Sequence, residues 1–376
     1  MREWGSFLFF TSFFCLYFTG SMYIAWRISA GFKLIAPYKF YVYAATGLMA
    51  SVSLLSFISS VYGIEPFARA LNPAGGIWMG IVGITCAVLF ANDLLNLGNR
   101  FFKIKKFRYY STVIALAAAV LLCVWSLINA ACVLKVKEIK IQVPELKKDK
   151  LSIALLADLH IDKHTPPSMI RKIVDIANGF SPDIIVIAGD LTDTDISGTY
   201  SEYSLDKLSA GYGVFAVTGN HEYYTGIESY EKLCEKLGFM LLRNENLIIN
   251  ESGENILAVA GINDKQGAKQ KTDIVDVEAA FEGIENALPV LFLSHRPQYF
   301  DMVKDKKMPV IQLSGHTHAG QILPMELLLR CFFKYSWGLY KHKDSAMYLT
   351  SGNRWWRVPM RTFNTCEIVK ITLEKN

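Results

Sequence analysis

Two histidines stand two residues apart in the stretch SGHTHAGQ, residues 314–321, directly after the apolar run PVIQL. Residues of the same chemical kind close several earlier apolar runs. LSIALLADLH (151–160) ends in Asp158 and His160, and PDIIVIAGDL (182–191) ends in Gly189 and Asp190. VFAVTGNHE (214–222) ends in Asn220, His221 and Glu222, and PVLFLSH (289–295) ends in His295. ILAVAGIND (256–264) ends in Asn263 and Asp264. Five of the seven histidines fall in this set; His164 and His342 lie outside it. Taken singly, each element also has a plain reading: a turn, a surface histidine or a satisfied core histidine. Imidazoles mixed with oxygen donors suit Mn, Fe or Zn better than Ca. No cysteine joins the set, which argues against a structural zinc site. The seven cysteines show no CxxC spacing, and four lie in apolar segments as small buried hydrophobes.

The elements that must position these residues are short strands. From about residue 134 the chain alternates short apolar runs with polar turns, and the runs are apolar on both faces, as in a buried sheet. AMYLTSG (346–352) and CEIVKITL (366–373) complete the series. Helical patterns over 168–180 and 229–239 fall between strands, which predicts an α/β layered domain. Ligands of open α/β sheets bind at strand carboxyl ends, so the polar residues there can converge.

The first third is different. Apolar runs at about 5–26, 41–62, 77–95 and 109–133 each reach the ~20 residues needed to cross a bilayer. Trp4, Trp26, Tyr38, Tyr41, Tyr109 and Tyr110 flank them as interfacial aromatics do. The expected organisation is a membrane domain of four transmembrane helices over 1–133, followed by a catalytic domain over 134–376. The loop after the first run carries Arg27, Lys33 and Lys39, and the loop after the third carries Arg100, Lys103, Lys105, Lys106 and Arg108; the loop after the second carries only Arg69. That bias puts the first and third loops in the cytoplasm and the catalytic domain outside it. The lysines from Lys135 to Lys150 pull the other way, but they precede a long domain, and long domains translocate largely regardless of charge. With a net charge of +5 and no dominant basic block beyond short juxtamembrane clusters, nucleic acid is not an expected partner. Nothing in the sequence speaks to an oligomer.

The blocks DLH, GD, GNHE, SH and GHTH, in this order over about 150–373, resemble the motif blocks of the calcineurin-like metallophosphoesterases. GHTHAGQILP and GNRWWRVPMR (352–361) are most similar to the branch that holds Bacillus YkuE and the transmembrane metallophosphoesterases. That branch usually has a second glycine where this chain has Ala319, and a proline where it has Cys366. The resemblance implies a four-layer α-β-β-α sandwich with mixed sheets and two divalent metal ions. One ion would take Asp158, His160, Asp190 and His318; the other would take Asp190, Asn220, His295 and His316. It also implies attack on phosphorus by a metal-bridging hydroxide, with His221 stabilising or protonating the leaving oxygen and Glu222 orienting it.

Arg296, Arg354, Arg357 and Arg361 are candidates for holding phosphate or an acidic headgroup, with a surface or structural role as the alternative; Gln321 is a candidate to line the site. MELLLRCFFKYSWGLYKHK (325–343) reads either as a basic-aromatic lip on the bilayer or as a core-packed helix and loop. The expected function is a membrane-anchored phosphoesterase that cleaves phosphodiester, pyrophosphate or phosphomonoester bonds of a lipid- or envelope-associated phospho-substrate. A catalytically silent membrane scaffold with the same fold is the alternative. A transporter is disfavoured, because the spans carry almost no internal charge apart from Asp93 near one end.

Overall fold

A computed structural model describes residues 2–32, 35–61 and 64–375; the side chains of 2–10, 60, 61, 65, 66, 68 and 69 are not described. Lys33, Tyr62 and the side chains of Trp4 and Arg69, which entered the sequence-based topology, therefore lie outside what can be described. The chain divides into two units: 133–320, 329–356 and 364–376 form one, and 1–132, 321–328 and 357–363 form the other.

The larger unit is built on two six-stranded mixed sheets. The first contains β1 (Leu134–Val143), β2 (Lys150–Leu156), β3 (Ile184–Ile187), β4 (Val214–Ala216), β5 (Met240–Leu241) and β12 (Cys366–Lys375), in the order β1-β12-β2-β3-β4-β5. The second contains β6 (Glu245–Glu251), β7 (Glu254–Gly261), β8 (Val290–Leu293), β9 (Val310–Ser314), β10 (Gly338–His342) and β11 (Ser345–Leu349), in the order β10-β11-β9-β8-β7-β6. Strands β2 to β5 run parallel, as do β7, β8, β9 and β11. The antiparallel pairs are β12 with β2, β6 with β7, and β10 with β11.

Side chains two apart on a strand share a face, and the core follows that period. Leu151, Ile153 and Leu155 of β2, Val186 of β3 and Phe215 of β4 share one buried cluster with Leu291, Leu293, Ile311 and Leu313 of the other sheet. The alternate residues Ala154, Leu156, Ile185 and Ile187 turn outward, onto the helices α5 (Pro167–Gly179) and α7 (Ile227–Leu237). Helix α5 presents Ile170, Ile173, Val174 and Ala177, the i, i+3, i+4, i+7 spacing of one helical face. Burial on both sides explains why these strands read as continuous apolar runs. Strand β1 escaped the sequence reading for the opposite reason. Its lysine-rich alternation is that of a half-exposed edge, and it is an edge strand parallel to β12. The segment 325–343 resolves into a helix, Met325–Phe332, and strand β10. Tyr335 is buried against Phe300, and the Trp337 indole N–H donates to Glu367 at 3.2 Å, so this aromatic stretch packs in part as core rather than as a free lip.

The other unit contains, among the described residues, four long helices: α1 (Arg2–Gly31), α2 (Lys39–Val61), α3 (Glu65–Phe102) and α4 (Phe107–Cys132). Among the described residues, three stretches, 36–59, 70–102 and 107–132, are long and apolar enough to cross a membrane. Helix α3 starts well before the expected 77, with Pro66 in its first turn, where a missing N–H costs nothing. Large apolar side chains such as Leu16, Phe90, Ile114 and Leu121 face outward from this unit. Arg27, expected in a loop, is instead part of α1; it is buried and pairs with Asp93 of α3 at 3.0 Å. The spans thus carry an internal ion pair that the sequence reading did not foresee.

The segments 321–328 and 357–363 belong to this unit as well. The Trp125 indole donates to the Thr362 carbonyl at 2.8 Å, and the Asn129 carboxamide donates to the Arg361 carbonyl at 2.9 Å. A side chain on Gly76 of α3 would meet the Arg357 carbonyl at 2.7 Å, and one on Gly80 would run into Met360. Small residues let the backbone approach there.

Candidate metal centre

Each candidate ligand follows a strand. Asp158 and His160 follow β2, Asp190 follows β3, and Asn220 and His221 open the short helix α6 (Asn220–Thr225) after β4. His295 follows β8, and His316 and His318 follow β9. Parallel strands end on the same edge, which brings these residues to one place. The backbone there is unusual. Asp158, His160, Asp190, His316 and His318 all have positive φ, between 46° and 78°. Non-glycine residues rarely adopt that region, and clusters of such strain mark sites rather than scaffolding. Gly189 is required for a different reason: at φ 85°, an added Cβ would lie 2.7 Å from the Gly219 nitrogen and 2.8 Å from His295 Nδ1. Ala319, at φ 53°, occupies a position glycine would adopt without strain.

Among the described residues, three groups of potential ligand atoms each lie within 4.8 Å: Asp158, His160 and His318; His160, Asp190 and His221; and Asp190, His295 and His316. Asp190 is shared between two of them. Its Oδ2 is 3.1 Å from His295 Nε2 and 3.8 Å from His160 Nε2, and its Oδ1 accepts the His221 backbone N–H at 2.9 Å. Asp158 accepts the His316 backbone N–H at 3.0 Å. Imidazole nitrogens face one another, His160 Nε2 to His318 Nε2 at 3.1 Å and His316 Nδ1 to His295 Nε2 at 3.2 Å. Two buried carboxylates and four imidazoles with converging nitrogens are poor partners for one another but a good donor set for divalent cations. The residues present therefore fit metal binding.

The local electrostatics agree. Burial pushes the Asp158 carboxyl up, and the charge of Asp190 adds to this. Burial would also raise Asp190, but His295 outweighs it and holds that carboxyl well below the usual range. Conversely, burial opposes the charged form of His295, yet Asp190 lifts it to about 10. One aspartate that sequence reasoning missed completes the site. Asp193 Oδ1 lies 2.8 Å from His160 Nδ1 and 2.7 Å from His221 Nδ1. Burial acts against its ionisation, but the two histidines hold it well below the usual carboxylate range. The signal available was its place in GDLTDTD, three residues after Asp190.

The residues expected to orient His221, hold phosphate or line the site fall in different places. Glu222 is fully buried and accepts from the backbone N–H groups of Gly219 (2.7 Å), Asp190 (3.0 Å) and Leu191 (2.8 Å). It shapes the ligand loops, and the group on His221 Nδ1 is Asp193; the orienting role expected of Glu222 is corrected accordingly. Burial, with the charge of Asp190, raises Glu222 to about 7. Arg354 donates to the His160 carbonyl and to Thr165 Oγ1, both at 2.7 Å, so it pins a ligand loop. Arg361, Arg357 and Gln321 belong to the helical unit, where Gln321 donates to the Val358 carbonyl at 2.8 Å. Arg296 does reach the ligands: it is 2.6 Å from His316 Nε2 and 3.3 Å from Asn220 Oδ1. Trp356 and Tyr224, half-exposed, stand edge-on to His221 with ring centroids 5.4 and 5.3 Å away.

Residues 151–320 match the calcineurin-like phosphoesterase family. The chain carries a calcineurin-like metallophosphoesterase domain. It is 32% identical over 277 residues to the transmembrane protein with metallophosphoesterase domain of Danio rerio, covering 71% of this chain and 63% of that protein. An uncharacterized metallophosphoesterase of Helicobacter pylori J99 is 34% identical over 241 residues, 64% of each chain. The metallophosphoesterase YkuE of Bacillus subtilis is 27% identical over 237 residues, covering 60% of this chain and 80% of that one. The chain spans a little under two thirds of the length of the zebrafish and Helicobacter proteins. The matched metallophosphoesterase segment holds every candidate ligand, from Asp158 to His318.

Proposed function

We propose that this protein is a membrane-anchored phosphoesterase that uses two divalent ions to hydrolyse a phosphoester or phosphoanhydride bond. The observation that carries the reading is Asp190: a single buried carboxylate reached by His295 on one side and His160 on the other, and shared by two ligand groups. Two cations a few ångströms apart need such a bridging carboxylate to offset their repulsion. Asp158, His160, Asp190 and His318 would hold one ion, and Asp190, Asn220, His295 and His316 the other. Mn, Fe or Zn suits this donor set. When bound, the ions supply charge neutralisation for phosphoryl oxygens and a water acidic enough to act as nucleophile near neutral pH.

The chain's own part is positioning and proton handling. Asp193 accepts from His221 Nδ1 and fixes the ring, which leaves Nε2 to carry the proton for the departing oxygen. Burial opposes the charged form of His221, but Asp193 and Asp190 outweigh it and raise its affinity for that proton. The backbone N–H groups gathered by Glu222 hold the Asp190 loop against the start of α6.

The apolar helices favour an integral membrane anchor with four crossings, of which three meet the length and hydropathy needed. A lipid- or envelope-associated phospho-substrate suits that anchor. A silent scaffold would be marked by a missing ligand, and every motif-matched ligand side chain is present. Asp190→Ala and His316→Ala should abolish hydrolysis of bis-p-nitrophenyl phosphate by the full-length protein in detergent; wild-type-like turnover in either variant would refute the two-ion reading.

A further inference from the structure

The two ligand groups have opposite neighbours. Behind His160, in the first group, stands a carboxylate: Asp193 Oδ1, 2.8 Å from Nδ1. A carboxylate in that position orients a ligating histidine and raises its basicity. Beside His316, in the second group, stands a guanidinium. Arg296 follows the ligand His295 directly and is held by Asp264, with Nε 2.6 Å from Oδ2 and Nη2 3.2 Å from Oδ1. Arg296 and Asp264 are both buried. From that anchor Nη1 lies 2.6 Å from His316 Nε2, and Nη2 lies 3.3 Å from Asn220 Oδ1.

These contacts compete with a metal ion in two ways. A guanidinium only donates, so it occupies the one lone pair of His316 Nε2 and one of the two on Asn220 Oδ1. A neutral imidazole that accepts at Nε2 carries its proton on Nδ1, and Nδ1 is the nitrogen that faces His295 Nε2 at 3.2 Å. The lone pair an ion would need at that point is then absent. A guanidinium this close to His316 and Asn220 would also repel a divalent ion held by them.

We propose that Arg296, anchored by Asp264, makes the second subsite the weaker of the two, so that the ions load in order. The Asp158–His160–His318 group fills first, and the His295–His316–Asn220 group fills only as Arg296 withdraws. The proposal rests on the two-ion reading above, and its test separates the two.

Full-length protein in detergent, stripped with a chelator, is titrated with Mn²⁺ by calorimetry while electron paramagnetic resonance follows spin coupling between the ions. The wild type should bind two ions in two steps, the second weaker by about tenfold or more, the scale of one charged hydrogen bond. Arg296→Gln should tighten the second step by about tenfold and leave the first unchanged. The double variant Arg296→Met/Asp264→Asn removes both members of the pair, so no buried carboxylate is orphaned, and it should tighten the second step in the same direction. His316→Ala should abolish the second step and spare the first. A wild type that binds one ion where Arg296→Gln binds two is the same result at its limit. Two equal steps in the wild type, or a second step unmoved or weakened in both arginine variants, would overturn the role of Arg296 while leaving the two-ion reading intact. Fewer than two ions in every variant would overturn both.

Discussion

Asp193 touches two histidines with different proposed tasks, His160 as a ligand and His221 as a proton carrier. Its main proposed role is toward His221. Asp193→Asn should then lower kcat on bis-p-nitrophenyl phosphate by about 10²-fold, the usual worth of a positioned general acid, even with metal in excess. Full activity restored by excess metal would place the role of Asp193 on His160 alone. At this scale much was legible in the sequence. The candidate ligands could be read because each closes an apolar run, a pattern that depends only on local order. Asp193 and Asp264 were not, because their importance comes from what they face across loops: His160 and His221 for one, Arg296 for the other. Glu222 was misassigned for a related reason. Its neighbour in sequence is His221, but its carboxylate turns inward to the backbone of Gly219, Asp190 and Leu191.

The strands of the sandwich announced themselves by burial on both faces, and α5 by its single apolar face. Elements with weaker patterns were missed: β1 is an edge with alternating lysines, and β5 is only two residues long. The helices of the other unit were visible as apolar runs, but what they pack against was not. Gly76 and Gly80 lie one helical turn apart on α3 and admit the 357–360 backbone and Met360. Gly76→Leu and Gly80→Leu should each lower stability by about 1–3 kcal/mol through overpacking, seen as a reduced melting temperature in detergent. Gly98→Leu, on the same helix with nothing within 4 Å, is the control and should melt like the wild type. Equal losses at all three positions would show that close packing against 357–360 is not their cause.

For the whole molecule, the outward-facing apolar side chains of the helical unit and the three stretches able to cross a membrane argue for insertion in a bilayer. The basic residues around the junction of α3 and α4 (Arg100, Lys103, Lys105, Lys106 and Arg108) are the ground for proposing a cytoplasmic loop there and a phosphoesterase domain outside the cytoplasm. Protease added to sealed cells should therefore digest the domain, and full protection would reverse the orientation. The family and the ligand order were open to sequence reasoning because motifs and hydropathy are local. The shared ownership of 321–328 and 357–363 by the helical unit was not, since it depends on contacts far apart in the chain. The proposed function requires Asp190 to join two ions. Metal content and bis-p-nitrophenyl phosphate hydrolysis, measured on the same preparations of wild type and Asp190→Ala, test it most directly. The account predicts two divalent ions per wild-type chain with turnover, and loss of both bound metal and turnover in the variant. Turnover that persists in Asp190→Ala, or in a metal-free wild type, would contradict it.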